Sequence, residues 1–206
     1  MSRSATSLTI GFHGCKREVG LRVLRGGDFT PSEKAYDWLG PGVYFWEGDP
    51  VRAWEWARDR GYSDPFVVGA IIDLGECLDL TLRENLEYLS VAYKDLQRVQ
   101  SQAKSRVPVN KDGRRLPKRD KVLRFLDCAV ITHLHHMVAD AATQNPSPRF
   151  DTVRGLFEEG KPAFRGAGFY SRTHTQIAVL NQSLIRGVFR PRSLDRQSLD
   201  RAMSGV

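Results

Sequence analysis

Cysteine is scarce: Cys15, Cys77 and Cys128 are the only three in 206 residues. They are too few and too dispersed for a disulfide framework or a cysteine zinc cluster. No charge-free stretch of about 18 residues reads as a membrane span, and the first ten residues lack the apolar run of a signal peptide. The expectation is therefore a cytoplasmic chain in a reducing compartment, without membrane contact. Phosphate-binding fingerprints are missing too, since no GxGxxG opens a βαβ unit and no GxxxxGK[ST] occurs. GxSxG and HExxH are also absent. His133, His135 and His136 crowd one segment, but on a helix only 133 and 136 share a face, so no metal site is expected. Cys15 follows His13 and Gly14 directly, which is not a Cys–His pair set by folding, so thiol chemistry is not expected.

What is present suits one domain with a real core: 41% of residues are hydrophobic, and the formal charge is +7. That charge is unevenly placed. Residues 1–93 hold 10 basic and 14 acidic side chains, a net −4. Residues 94–128 hold 11 and 4, a net +7, and residues 129–206 hold 10 and 6, a net +4. The densest run, KDGRRLPKRDK, brings Arg114, Arg115, Lys118 and Arg119 together as candidates for contacting the phosphates of a nucleic acid. The same run also reads as a solvated loop between two helices.

Along the chain, SLTIGFHG alternates as a strand, and GLRVLRGG reads as a short strand or turn. VYFW is a short strand, and Asp49 followed by Pro50 marks the start of a helix that Gly61 closes, with Val51, Trp54 and Ala57 on one face. PFVVGAIIDLG reads as a central strand. Leu82, Leu86, Leu89 and Tyr93 predict a helix over about 82–103, and a second long helix follows the basic loop, with Asp120 as its cap. TVRGLFEEG, AGFYSRTHTQIAVL and IRGVFRP predict three further strands. From residue 190 onward the chain reads as a loose polar tail. Strands at both ends with helices between them predict an α+β fold, with residues 1–189 one domain and 82–142 a helical insertion.

Three segments carry candidate chemistry. FHGC places His13 beside Gly14, where a missing side chain lets a ligand approach the backbone. GPGVYFWEGDPVRAWEWA sets Tyr44 on a strand that feeds a helix exposing Trp54 or Trp56. In YSRTHTQIAVL, alternation turns His174, Gln176 and Ala178 to one face.

In this order the segments resemble the ADP-ribosyltransferase superfamily, on the diphtheria-toxin and poly-ADP-ribose-polymerase side with its His-Tyr-Glu triad. The resemblance covers roughly half of the chain and implies a split β-sandwich interrupted by the helical insertion. It implies NAD as the donor, held by His13 on a ribose and by the Gly14 backbone on the nicotinamide amide. Tyr44 would stack on the nicotinamide ring, and Arg25, Ala53 and Trp54 would line the donor site. The third position, a glutamate in the family, is Gln176 here, which can hydrogen-bond the ribose but brings no charge.

Three readings follow: an active transferase that positions with the amide, an inactive NAD- or ADP-ribose-binding descendant, or a register in which Glu158 or Glu159 supplies the charge. Those two glutamates precede a Gly-Lys-Pro turn and are expected to be solvated. His174, two residues before the third position, would face the acceptor and take its proton, with Arg172 gripping an acceptor phosphate. The expected activity is mono-ADP-ribosylation of an RNA or DNA base. The alternatives are a protein acceptor, or an inactive fold that binds nucleic acid or a protein partner. Several relatives are toxins, so an antitoxin protein is a possible partner.

Overall fold

A computed structural model describes residues 7–113, 120–144 and 149–191. The described elements are strand β1 (Leu8–Lys16), helix α1 (Arg17–Leu24), β2 (Val43–Glu47), α2 (Pro50–Asp59), β3 (Pro65–Asp73), β4 (Cys77–Asp79), α3 (Arg83–Gln102), α4 (Phe125–Gln144), β5 (Thr152–Phe157), β6 (His174–Val179) and β7 (Ile185–Phe189). The strands form one mixed sheet in the order β4-β5-β6-β2-β1-β3-β7, in which β4 and β5 run parallel. The general α+β character follows the sequence expectation.

Alternation gives the sheet two faces. Val43, Phe45, Val68, Ile72, Ile177 and Val179 meet Val23 of α1 in one core. On the other face, Leu78, Val153 and Ala178 pack under the α3–α4 pair, while Trp46 and Val67 meet Ala53 of α2. The helical insertion therefore covers one half of this face and α2 the other. The sheet is nearly divided between them. β1 pairs with β3 along its whole length, but with β2 only at Gly11–Glu47 and Phe12–Trp46.

Several local readings are corrected. The GLRVL part of GLRVLRGG belongs to helix α1 and only Arg25 and Gly26 form a turn; an added Cβ at Gly20 would lie 2.2 Å from the Phe66 ring. That close helix–strand contact, not a turn, is what the glycine serves. The PFVVGAIIDLG strand is second from the sheet edge, since β7 returns beyond it. In α2 the buried positions are Ala53 and Ala57, a spacing of four, while Val51 and Trp54 are only partly covered. Asp120 does not cap α4; it lies five residues before the helix and its carboxylate accepts the Gly160 N–H at 3.1 Å. Of the expected tail, residues 192–206 lie outside the described residues.

Candidate active site

A cleft of about 670 Å³ opens on the face that α2 and the α3–α4 pair share, over the line where β1 and β2 part. It is a suitable size for a small-molecule ligand, for which about 300–1,000 Å³ is typical. His13, Gly14, Tyr44, Arg172, His174 and Gln176 all line it, joined by Trp38, Trp46, Arg52, Trp56 and Glu159.

The parting of the strands has a direct consequence for Gly14. In an antiparallel strand, alternate residues direct both N–H and C=O to the same neighbour. Gly48 donates to Ile10 O on the β2 side, and Arg17 donates to Asp64 O at the end of β3, both at 3.0 Å. Even-numbered residues of β1 therefore face β2. At Gly14 β2 has already diverged, so this peptide edge turns to the gap without a strand partner. An added Cβ at Gly14 would lie 2.1 Å from Ala53 O. The glycine thus serves helix packing first, and what it offers the cleft is its backbone edge, not the space a side chain leaves.

His13 reaches into the same gap. Its Nδ1 contacts Tyr44 O at 2.8 Å, and because a carbonyl only accepts, Nδ1 carries the proton. Burial pushes the imidazole below its ordinary range, more than the Tyr44 carbonyl restores. The ring is neutral near pH 7, leaving Nε2 as a hydrogen-bond acceptor. Phe29 meets it edge-on at 5.1 Å. The Tyr44 hydroxyl accepts from Leu39 N–H at 3.0 Å and donates to Gly40 O at 2.7 Å. These bonds fix the ring at the cleft wall and spend the hydroxyl.

Gln176 and His174 share a face, as alternation predicts. Gln176 is buried, and its Oε1 lies 2.6 Å from Trp38 Nε1. Indole nitrogen can only donate, so the amide oxygen is committed to Trp38 and the amide NH₂ is left as the group for a ligand. His174 donates from Nδ1 to Arg172 O at 2.6 Å. Its ring stacks on Phe157 at 5.6 Å and 15°. Burial lowers its basicity most; the Arg172 carbonyl raises it, Arg52 lowers it, and Glu159 and Asp49 raise it. The result is a neutral imidazole with an unprotonated Nε2.

The sequence misjudged one charged residue and missed another. Glu158 is exposed as expected, but Glu159 is only 6% exposed and lines the cleft. Its carboxylate contacts Arg52 at 2.6 Å and Arg172 at 3.8 Å. Arg52 also contacts Glu55 at 3.3 Å. No motif marked Arg52; the only available signal was its place three residues after the Asp49 cap.

Other expected positions are not brought to the cleft. Arg25 is exposed at the C-terminal cap of α1, Ala53 is buried against β1, and Trp54 lies under the Arg58 guanidinium. Trp56, beside Arg60 at 5.0 Å, lines the cleft in place of Trp54. Arg114, Arg115, Lys118 and Arg119 lie outside the described residues. The chain flanking them is held by paired bonds between Lys111 and Leu123, next to Val122 at the cleft.

The three thiols are poor nucleophile candidates: burial raises Cys77 and Cys128 and pushes Cys15 up to about 11. Among the described residues, no group of three or more His, Cys, Asp or Glu is arranged to hold a metal ion, and no helix is long and apolar enough to cross a membrane. No protein-family model, curated protein or solved structure matches the chain.

Proposed function

We propose that this protein is an NAD-dependent mono-ADP-ribosyltransferase with an ADP-ribosyltransferase-like split sheet, acting on a nucleic-acid base. The observation that carries the reading is the unpartnered Gly14 peptide edge, set between neutral His13 and the fixed Tyr44 ring. A free N–H and C=O on one residue suit a primary carboxamide, which offers the complementary acceptor and donor. The Tyr44 ring supplies a flat surface beside them. NAD bound there would supply an activated N-glycosidic bond with nicotinamide as leaving group. His13 Nε2 then accepts a hydrogen bond from a ribose hydroxyl, and the Gln176 NH₂ donates to a ribose oxygen. On the acceptor side, His174 Nε2 takes the proton of the attacking group. The basic segment 94–128 supports a phosphate-bearing acceptor.

The test is incubation with NAD labelled in its ADP-ribose part and with RNA, DNA or total protein. Nicotinamide release and denaturation-resistant label on nucleic acid are expected, both lost in His13→Ala and Tyr44→Ala proteins that keep the wild-type melting temperature. Label on protein alone would replace the acceptor. NAD binding without nicotinamide release would leave an inactive binding fold. Gln176→Ala should abolish transfer, whereas Gln176→Glu, which can still accept from Trp38, should retain it.

A further inference from the structure

The chain lacks a carboxylate at residue 176 but buries one elsewhere in the cleft. β5 and β6 pair Gly155 with Gln176 and Phe157 with His174, and Arg172 N–H continues the ladder to Glu159 O at 3.0 Å. Directly opposed residues point to one face, so Gln176, His174 and Glu159 follow one another along the cleft wall. Glu159 lies two rungs from Gln176, roughly 13 Å along the strands at about 3.3 Å per residue. It is too distant to take over the Gln176 contact. It is one rung from His174, diagonally across the ladder, about 7–8 Å between backbones and closer at the side-chain ends.

We propose that Glu159 is a positioning residue for His174, the fixed negative charge that favours the imidazolium formed when His174 takes the acceptor's proton. The proposal rests on the transferase reading for its catalytic consequence. In the step concerned, the acceptor N–H or O–H breaks and its proton goes to His174 Nε2. The acceptor atom bonds the ribose carbon, and the glycosidic electron pair leaves with nicotinamide, which turns from a cation into a neutral base. The positive charge of the donor ring thus reappears on His174, in a buried place where an uncompensated imidazolium is costly.

Charged groups reach this imidazole from two elements, Arg52 and the Asp49 cap from the start of α2 and Glu159 from the end of β5, while Arg172 meets it through its backbone carbonyl and meets Glu159 through its guanidinium. Phe157 stacks on one face of the ring, and Trp46 lies tilted beside it at 6.3 Å. Arg52 opposes protonation of His174, and Glu159 supports it while holding Arg52 at 2.6 Å. On top of burial and the Arg172 carbonyl, the two charges of this ion pair act on the imidazole in opposite senses, so removing one should move it the opposite way from removing the other.

The experiment reads His174 by NMR titration of the intact, ligand-free protein, with His174→Gln used to assign the resonance. Glu159→Gln should lower the His174 midpoint, and Arg52→Gln should raise it. Glu159→Asp should restore most of the loss. An unchanged midpoint in both Glu159→Gln and Arg52→Gln proteins with native melting temperatures would overturn the proposal. So would two shifts of the same sign. This readout needs no turnover, so it separates failure of the proposal from failure of the transferase reading. Where transfer occurs, Glu159→Gln should lower kcat at least tenfold with KM for NAD unchanged, and move the acid limb of the rate profile to lower pH. A fall in kcat with an unmoved acid limb would mark Glu159 as structural and also overturn it.

Discussion

At the scale of single residues, the cleft shows how one residue can answer two demands. Gly14 looks like a ligand-facing glycine, yet its first constraint is the α2 backbone. A methyl group there would sit 2.1 Å from Ala53 O, a backbone atom that cannot move without the helix. Gly14→Ala should therefore destabilise the protein by about 3 kcal/mol, the upper end for overpacking, measured by urea unfolding. Loss of activity in that variant would report on packing and not on ligand contact. Gln176 carries a similar lesson. Its type was legible in sequence, but its usable end was not. Trp38, 138 positions away, takes the amide oxygen because an indole can only donate. Glu159 was misjudged from its local surroundings: a Gly-Lys-Pro turn suggests solvent, while Arg52 from another element buries it.

At the scale of elements, the strands with clear alternation and the helices with spacing of three and four were readable from the chain. Those that failed did so where packing overrode local signals. Gly20 sits inside α1 because Phe66 needs the space, so a residue that reads as punctuation lies mid-helix. Helix α2 is the element on which the site most depends. Asp49 Oδ1 accepts from Arg52 N–H at 2.8 Å, closing the first turn that holds Arg52 against Glu159. Asp49→Ala should cost about 1 kcal/mol of stability, seen as a lower urea midpoint with an unchanged slope. Because that turn carries Arg52, the same substitution should also loosen the Arg52–Glu159 contact. The insertion is anchored in a different way: Asp120 bonds Gly160, next to Glu159, and His133 bonds Asp95 between α3 and α4 at 2.9 Å. The insertion thus borders the cleft, which Val122 lines.

For the whole molecule, pH is the readiest global probe. Burial lowers His13 and His174 from their ordinary value, and lowers His135 from 6.5 to about 4. A base with a depressed folded value binds protons more readily when unfolded, so stability falls as pH drops from about 6.5 toward 4. Asp73, Asp79 and Asp95 are also held below their ordinary 3.8, and their contribution is lost only below that value. Melting temperature should therefore decline between pH 6.5 and 4.5 because of the histidines. His135→Leu, which also removes a buried Nε2 without a hydrogen-bond partner, should flatten that decline. A wild-type curve that is flat over this interval would contradict the assignment.

The sequence by itself determined the α+β class, most element positions, and the grouping of His174 with Gln176, since these follow from periods of two and 3.6 along the chain. It also localised the charge that makes residues 1–93 net negative and the remainder positive. Only the tertiary structure decided where β1 and β2 part, which end of Gln176 is free, and that Glu159 is buried beside His174. Each of those depends on a partner far away in the chain, and no local spacing encodes which side chain a donor or a cation will meet.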